Sequence, residues 1–113
     1  MAIPTFKSVG VALSTTNRTT IYTTPSLSRA VVSSIMAGNV DGSSAATLKL
    51  EWYDASATTH YALTGAYSIA ANGYLIISDS PIYFDAGDLL SATAGAADDI
   101  TVTAFVEEYS TGF

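Results

Sequence analysis

Hydrophobic and polar positions alternate along much of this chain with a period of two, and clusters of turn residues break the alternation at short intervals. Residues 46–53 show it most clearly. Leu48, Leu50 and Trp52 fall on one face, and Thr47, Lys49, Glu51 and Tyr53 on the other, as expected of a strand with one buried and one wet side. Residues 100–109 repeat the pattern, with Ile100, Val102, Ala104 and Val106 on one face and Phe105 and Tyr109 opposite. Residues 5–13 place Lys7, Val9, Val11 and Leu13 together, with Phe6 and Ser8 on the reverse; they read as an early strand or an extended arm. Residues 28–39 differ. Val31, Ser33 and Ile35 would share one face and Val32, Ser34 and Met36 the other, so both faces are partly apolar, which predicts a central strand.

Shorter segments fill the gaps. Residues 18–23 are rich in β-branched and aromatic types and stop at Pro25, which cannot donate to a ladder. Gly38-Asn39 and Asp41-Gly42 predict a loop. Asp54 to Ala57 turns the chain, so 58–63 returns as the second arm of a hairpin. Residues 67–70 precede an Asn72-Gly73 turn. Residues 74–78, 81–84 and 89–93 follow, with Asp85-Ala86-Gly87-Asp88 as a tight turn before the last. Ala94 to Asp99 turns again, and 110–113 reads as a loose tail. No segment sustains a helical period over three turns. Roughly eight short strands, each followed by turn chemistry, predict an all-β, single-domain antiparallel β-sandwich with jelly-roll-like topology; an Ig-like sandwich is the alternative. The organisation expected is an N-terminal arm or first strand over residues 1–17 and a β-sandwich over 18–113, one domain overall.

Composition narrows what such a sandwich does. Charged residues are 12 % of the chain and hydrophobic ones 49 %, against about 25 % charged in an average domain. The surface must then be covered largely by small and hydroxyl-bearing residues, which suits either a soluble β protein with a hydroxyl-rich face or a large, permanent interface with partner subunits. Ten acidic residues against four basic ones leave a net charge of −6. Lys7, Arg18, Arg29 and Lys49 are scattered, so no cluster can displace counterions from a phosphate backbone and no nucleic-acid partner is expected. The acidic balance argues equally against anionic membranes. Cysteine is absent, which removes disulfides and thiolate chemistry. Met1-Ala2-Ile3-Pro4 lacks a basic start followed by an apolar run, and no apolar stretch approaches the ~20 residues of a membrane span.

Candidate chemistry is sparse. His60 is the single histidine, set in an expected strand without a Gly-x-Ser-x-Gly elbow elsewhere. Asp85 and Asp88 bracket Ala86-Gly87, and Asp98-Asp99 sit in another turn; neither pair has calcium-loop spacing. Trp52, Tyr53, Tyr61, Tyr67, Tyr74 and Tyr83 could stack on sugar rings, although Trp52 lies on the apolar face of its strand and reads as core. The expectation is no enzyme, with no catalytic, cofactor-binding or metal residues.

Several segments resemble small bacteriophage virion accessory proteins of β-sandwich type. Thr20-Ile21-Tyr22-Thr23-Thr24-Pro25 looks like their opening strand. Ala30-Val31-Val32-Ser33-Ser34-Ile35 with Gly38-Asn39 looks like their second strand and asparagine turn. Leu48-Lys49-Leu50-Glu51-Trp52-Tyr53 follows, then Tyr83-Phe84-Asp85-Ala86-Gly87-Asp88 leading into Leu89-Leu90-Ser91-Ala92. The similar order covers about residues 18 to 109. The resemblance implies a structural protein of the phage particle, made in the host cytoplasm and carried in the virion. Its expected role is a capsid decoration (cement) protein that binds across subunits of the major capsid protein, as a homo-oligomer with a trimer favoured. A neck, tail or fibre-associated virion protein is one alternative and a carbohydrate-binding module another. Candidate interface residues are the first strand and the outward-facing Lys49, Glu51 and Tyr53.

Overall fold

A strand that is apolar on one face needs a second layer to cover that face. The computed structural model, which describes residues 4–110, supplies it as two five-stranded antiparallel sheets. In chain order the strands are β1 (Thr5–Leu13), β2 (Thr19–Thr23), β3 (Ser28–Asn39), β4 (Ala46–Asp54), β5 (Thr59–Ala62), β6 (Tyr67–Ile69), β7 (Tyr74–Ile77), β8 (Ile82–Phe84), β9 (Leu89–Ala94) and β10 (Ile100–Ser110). Sheet one runs β1-β10-β3-β7, with β8 beside β7 on the same edge of β3. Sheet two runs β2-β9-β4-β5, with β6 beside β5 along β4. Ten segments therefore fill eight strand positions. The chain crosses between sheets after β1, β2, β3, β6, β8 and β9, and this order is a jelly roll; an Ig-like arrangement is not formed. Residues 5–13 pair along their whole length with β10 and form an edge of sheet one. Ser110, expected in a loose tail, ends β10; residues 1–3 of the expected arm and 111–113 of the tail lie outside the described residues.

The core lies between the sheets. Leu48 and Leu50 of β4 and Leu90 and Ala92 of β9 face Val32, Ile35, Val102 and Ala104, all at most 1 % exposed. Each fully buried Leu, Ile or Val contributes about 1.5–3 kcal/mol of hydrophobic stabilisation. Two register shifts correct the simple alternation. Between β3 and β10, Val32 opposes Val106 and Ser34 opposes Phe105, which leaves Ser33 as a bulge. Val32 and Ile35 consequently point the same way, into the core, not to opposite faces as strict alternation predicts. The shift between Thr20 and Tyr22 against β9 likewise buries both Ile21 and Tyr22. A third correction concerns Gly38-Asn39, expected in a loop. Both lie in β3, and Asn39 is 3 % exposed.

Polar side chains close the ends of the sandwich. At one end the Asn39 Nδ2 donates to the carbonyls of Ser44 (2.9 Å) and Ile69 (3.0 Å), and its Oδ1 accepts from Asp41 N–H (3.0 Å). At the other end Asp88, 2 % exposed, accepts from the Trp52 indole N–H (3.3 Å), Ala55 N–H (3.0 Å) and Asp85 N–H (2.9 Å). Gly87 stands at φ +87°, a conformation that favours glycine, and so lets Asp88 turn inward. Tyr22 spans the sandwich: its ring stacks on Phe84, and its hydroxyl donates to Glu108, which also pairs with Lys7 at 3.0 Å.

Candidate functional site

The titratable groups singled out in the sequence fall into separate, mostly structural roles. On the outer face of sheet two, Glu51 receives Arg18 through both carboxylate oxygens, Nε at 3.0 Å and Nη2 at 3.3 Å, with Lys49 Nζ at 3.8 Å. The Arg18 hydrogen bonds hold the Glu51 carboxyl below the usual carboxylate range, against an opposing effect of burial. Its side chain is only 6 % exposed, so of the outward trio Lys49, Glu51 and Tyr53, Glu51 is already covered. His60 sits opposite Tyr53, ring centroids 4.6 Å apart. Ser91 lies opposite Glu51 on the other side of β4. Two strand spacings, roughly 10 Å, therefore separate the columns of Ser91 and His60, with β4 between them, and these two side chains form no proton relay. In the turn the Asp88 carboxylate accepts the hydrogen bonds, while Asp85 contributes its backbone N–H and carbonyl. Among the described residues no group of three or more His, Asp or Glu side chains is gathered to hold a metal ion.

The aromatics do not form one platform. Trp52 stacks on Tyr61 at 5.3 Å and is half-buried against the core, while Tyr53 faces His60. Tyr74 and Tyr83 belong to sheet one. There Tyr83 and Tyr109, with Arg29 and Asp85, border a hollow of about 510 Å3; Arg29 and Asp85 form a loose, exposed pair at 3.7 Å.

The most distinctive surface is the outer face of sheet one. Phe6 (73 % exposed), Met36 (42 %), Tyr74 (70 %), Ile76 (47 %) and Tyr83 (73 %) all point from it. An aromatic side chain carries roughly 150–250 Å2, and these exposed fractions together leave on the order of 600 Å2 of largely apolar surface. Met36, Tyr74 and Ile76 are neighbours on β3 and β7, while Phe6 and Tyr83 stand at either side of Glu107 and Val31; monomers rarely expose large apolar patches of this kind. Beside Phe6 lies a recess of about 330 Å3, floored by Ser8, Phe105 and the bulged Ser33. Tyr74, Tyr83 and the first strand are candidates in the sequence, and the strand register brings them onto one face. The signal present was the apolar character of both sides of residues 28–39 and 74–78.

No protein-family model matches the chain, and no curated protein matches it in sequence. Its fold is shared with solved structures of low identity. A capsid structure of the Helicobacter pylori bacteriophage KHP30 matches with a TM-score of 0.58 at 12 % identity, covering 97 % of this chain and 90 % of that one. The disulfide-linked pili of Bacillus endospore appendages match with a TM-score of 0.58 at 12 % identity, covering 99 % and 92 %. The virus-like particle of the extra small virus of the prawn Macrobrachium rosenbergii matches with a TM-score of 0.50 at 16 % identity, covering 99 % and 81 %. The likeness extends over nearly the whole jelly roll.

Proposed function

We propose that this chain is a structural protein of a virus particle, and specifically a capsid decoration protein of a bacteriophage that binds across subunits of the major capsid protein. The observation that carries the reading is the outer face of sheet one, which exposes large apolar side chains on a chain with few charges and so suits burial against neighbouring subunits of an assembled particle, whether shell subunits or further copies of this chain. The jelly roll shared with the phage KHP30 capsid structure supports it. The pilus subunits have the same fold, but this chain contains no cysteine and has no means of disulfide-linked assembly. The action proposed is mechanical: surface buried across neighbouring shell subunits raises the barrier to opening under internal pressure. Purified protein added to undecorated capsids should bind in a fixed ratio and raise their melting temperature. No binding would overturn the decoration role. A copy number near a dozen in intact virions, in place of hundreds, would move the protein to a neck or tail ring.

A further inference from the structure

The register of sheet one arranges its outer face as a grid, and in two adjacent rows large side chains stand on one half and small ones on the other. The columns are β1, β10, β3 and β7/β8. One row reads Ala12, Thr101, Gly38, Tyr74, and the next Gly10, Thr103, Met36, Ile76. At the Ser33 bulge a row reads Ser8, Phe105, Ser34, and beyond it a further row reads Phe6, Glu107, Val31, Tyr83. The tall side chains of the first two rows thus stand on β3 and β7, while β1 and β10 present Ala, Gly and Thr.

We propose that this face is the docking surface for a second copy of the chain, related by a two-fold axis parallel to the strands between β10 and β3. This rests on the reading that the face is covered in the working particle, and it names what covers it. Such an axis exchanges β1 with β7/β8 and β10 with β3 and keeps every row. Ile76 then descends on Gly10, Tyr74 on Ala12 and Met36 on Thr103, so large meets small across two sheets about 10 Å apart. Phe105 is set over Ser34, and Phe6 meets Tyr83, aromatic on aromatic. The contact is isologous: each residue and its partner exchange places.

Charge and area agree with a self-contact. Of the described strand residues that point from this face, only Arg29 and Glu107 are charged, on a chain of net −6. Two copies can approach here without bringing their acidic surplus together. The axis carries Arg29 onto the β10 column, over Tyr109 and one row from Glu107 of the second copy, which pairs opposite charges twice. The large side chains supply on the order of 600 Å2, and the small residues among them bring the face close to the roughly 800 Å2 per partner of a stable interface.

Sedimentation equilibrium on the full chain tests this. The expected mass at tens of micromolar is that of a dimer, dissociating on dilution. Ile76→Lys sets a charge against Gly10 of the second copy and should weaken pairing at least about 30-fold, the effect of one central anchor residue. Gly10→Trp should do the same from the other side. A Cβ at Gly10 meets nothing nearer than Thr103 Oγ1 at 3.7 Å, so the monomer has room for the new side chain. Unchanged far-UV circular dichroism checks that both variants fold. Arg29→Glu and Glu107→Arg should each weaken pairing, and the double reversal should restore it. A monomer at every concentration, a trimer, or a dimer that survives Ile76→Lys overturns the proposal. A chain that stays monomeric yet binds capsids defeats the pairing and leaves the decoration role standing; one that pairs but binds no capsid does the reverse.

Discussion

Removing the Asp88 carboxylate should destabilise the domain far more than removing its neighbour Asp85. Asp88 is 2 % exposed and accepts three N–H groups, from Trp52, Ala55 and Asp85. A hydrogen bond to a charged group contributes about 1.5–3 kcal/mol, and a buried donor left unsatisfied costs about 1–3 kcal/mol. The three bonds share one acceptor and do not add fully. Water also reaches the exposed Asp85 end of the turn. Asp88→Ala should therefore cost roughly 3–5 kcal/mol, a large part of a typical 5–15 kcal/mol total. Asp88→Asn keeps one oxygen for two of the donors but turns an NH2 group toward the third, and should cost about 2 kcal/mol. In a domain of this size 1 kcal/mol corresponds to about 4 °C in Tm, so the shifts are roughly 8 °C for Asn and more than about 12 °C for Ala. The Asp85 side chain makes only the loose surface pair with Arg29, and Asp85→Ala should stay within about 0.5 kcal/mol. Urea denaturation followed by fluorescence measures all three. Trp52 is the sole tryptophan, and its indole touches the altered group. If Asp88→Ala and Asp85→Ala fall within 1 kcal/mol of each other, Asp88 does not hold this end of the sandwich.

Two further perturbations follow from the same reasoning. Glu51 and Glu108 both titrate below their ordinary 4.5. Arg18 holds Glu51 down, while for Glu108 burial pushes upward and the Tyr22 hydroxyl and Lys7 together more than reverse it. A depressed folded value means their stabilisation is present above the unfolded pKa and is lost as pH falls through the folded one. Tm should therefore decline below about pH 4.5, and Glu51→Gln should flatten that decline; a Tm independent of pH there contradicts the ion-pair geometry. Thr58, β-branched at φ +48°, occupies a left-handed conformation that costs about 1–2 kcal/mol for such a residue. Thr58→Asn should raise stability by about 0.5–1 kcal/mol, measured as a shift in the urea midpoint; a loss would show that the Thr58 hydroxyl contributes more than the strain it brings.

Local patterning already carries the layers of this protein. Period-two patterning over 46–53 and 100–109 specified which side chains face the core, because a residue on a pleated strand has only two directions to point. Turn chemistry placed the boundaries: Asn72-Gly73 and Asp85-Ala86-Gly87-Asp88 turn where such residues should. The bulges were not legible. Ser33 leaves the ladder because β10 pairs on both sides of it, and that depends on a strand some seventy positions away. The same long-range pairing drew Asn39 into β3, where its amide ties the loop after β3 to β6. Strand order, and with it the choice of jelly roll over Ig-like sandwich, is a matter of which edges meet, and local patterns carry no record of that. The outer face of sheet one is the clearest case. Phe6, Met36, Ile76 and Phe105 are far apart in the chain and unremarkable one by one. Only the register of four antiparallel columns gathers them on one face, and in two of its rows sets Met36, Tyr74 and Ile76 beside the small residues of β1 and β10.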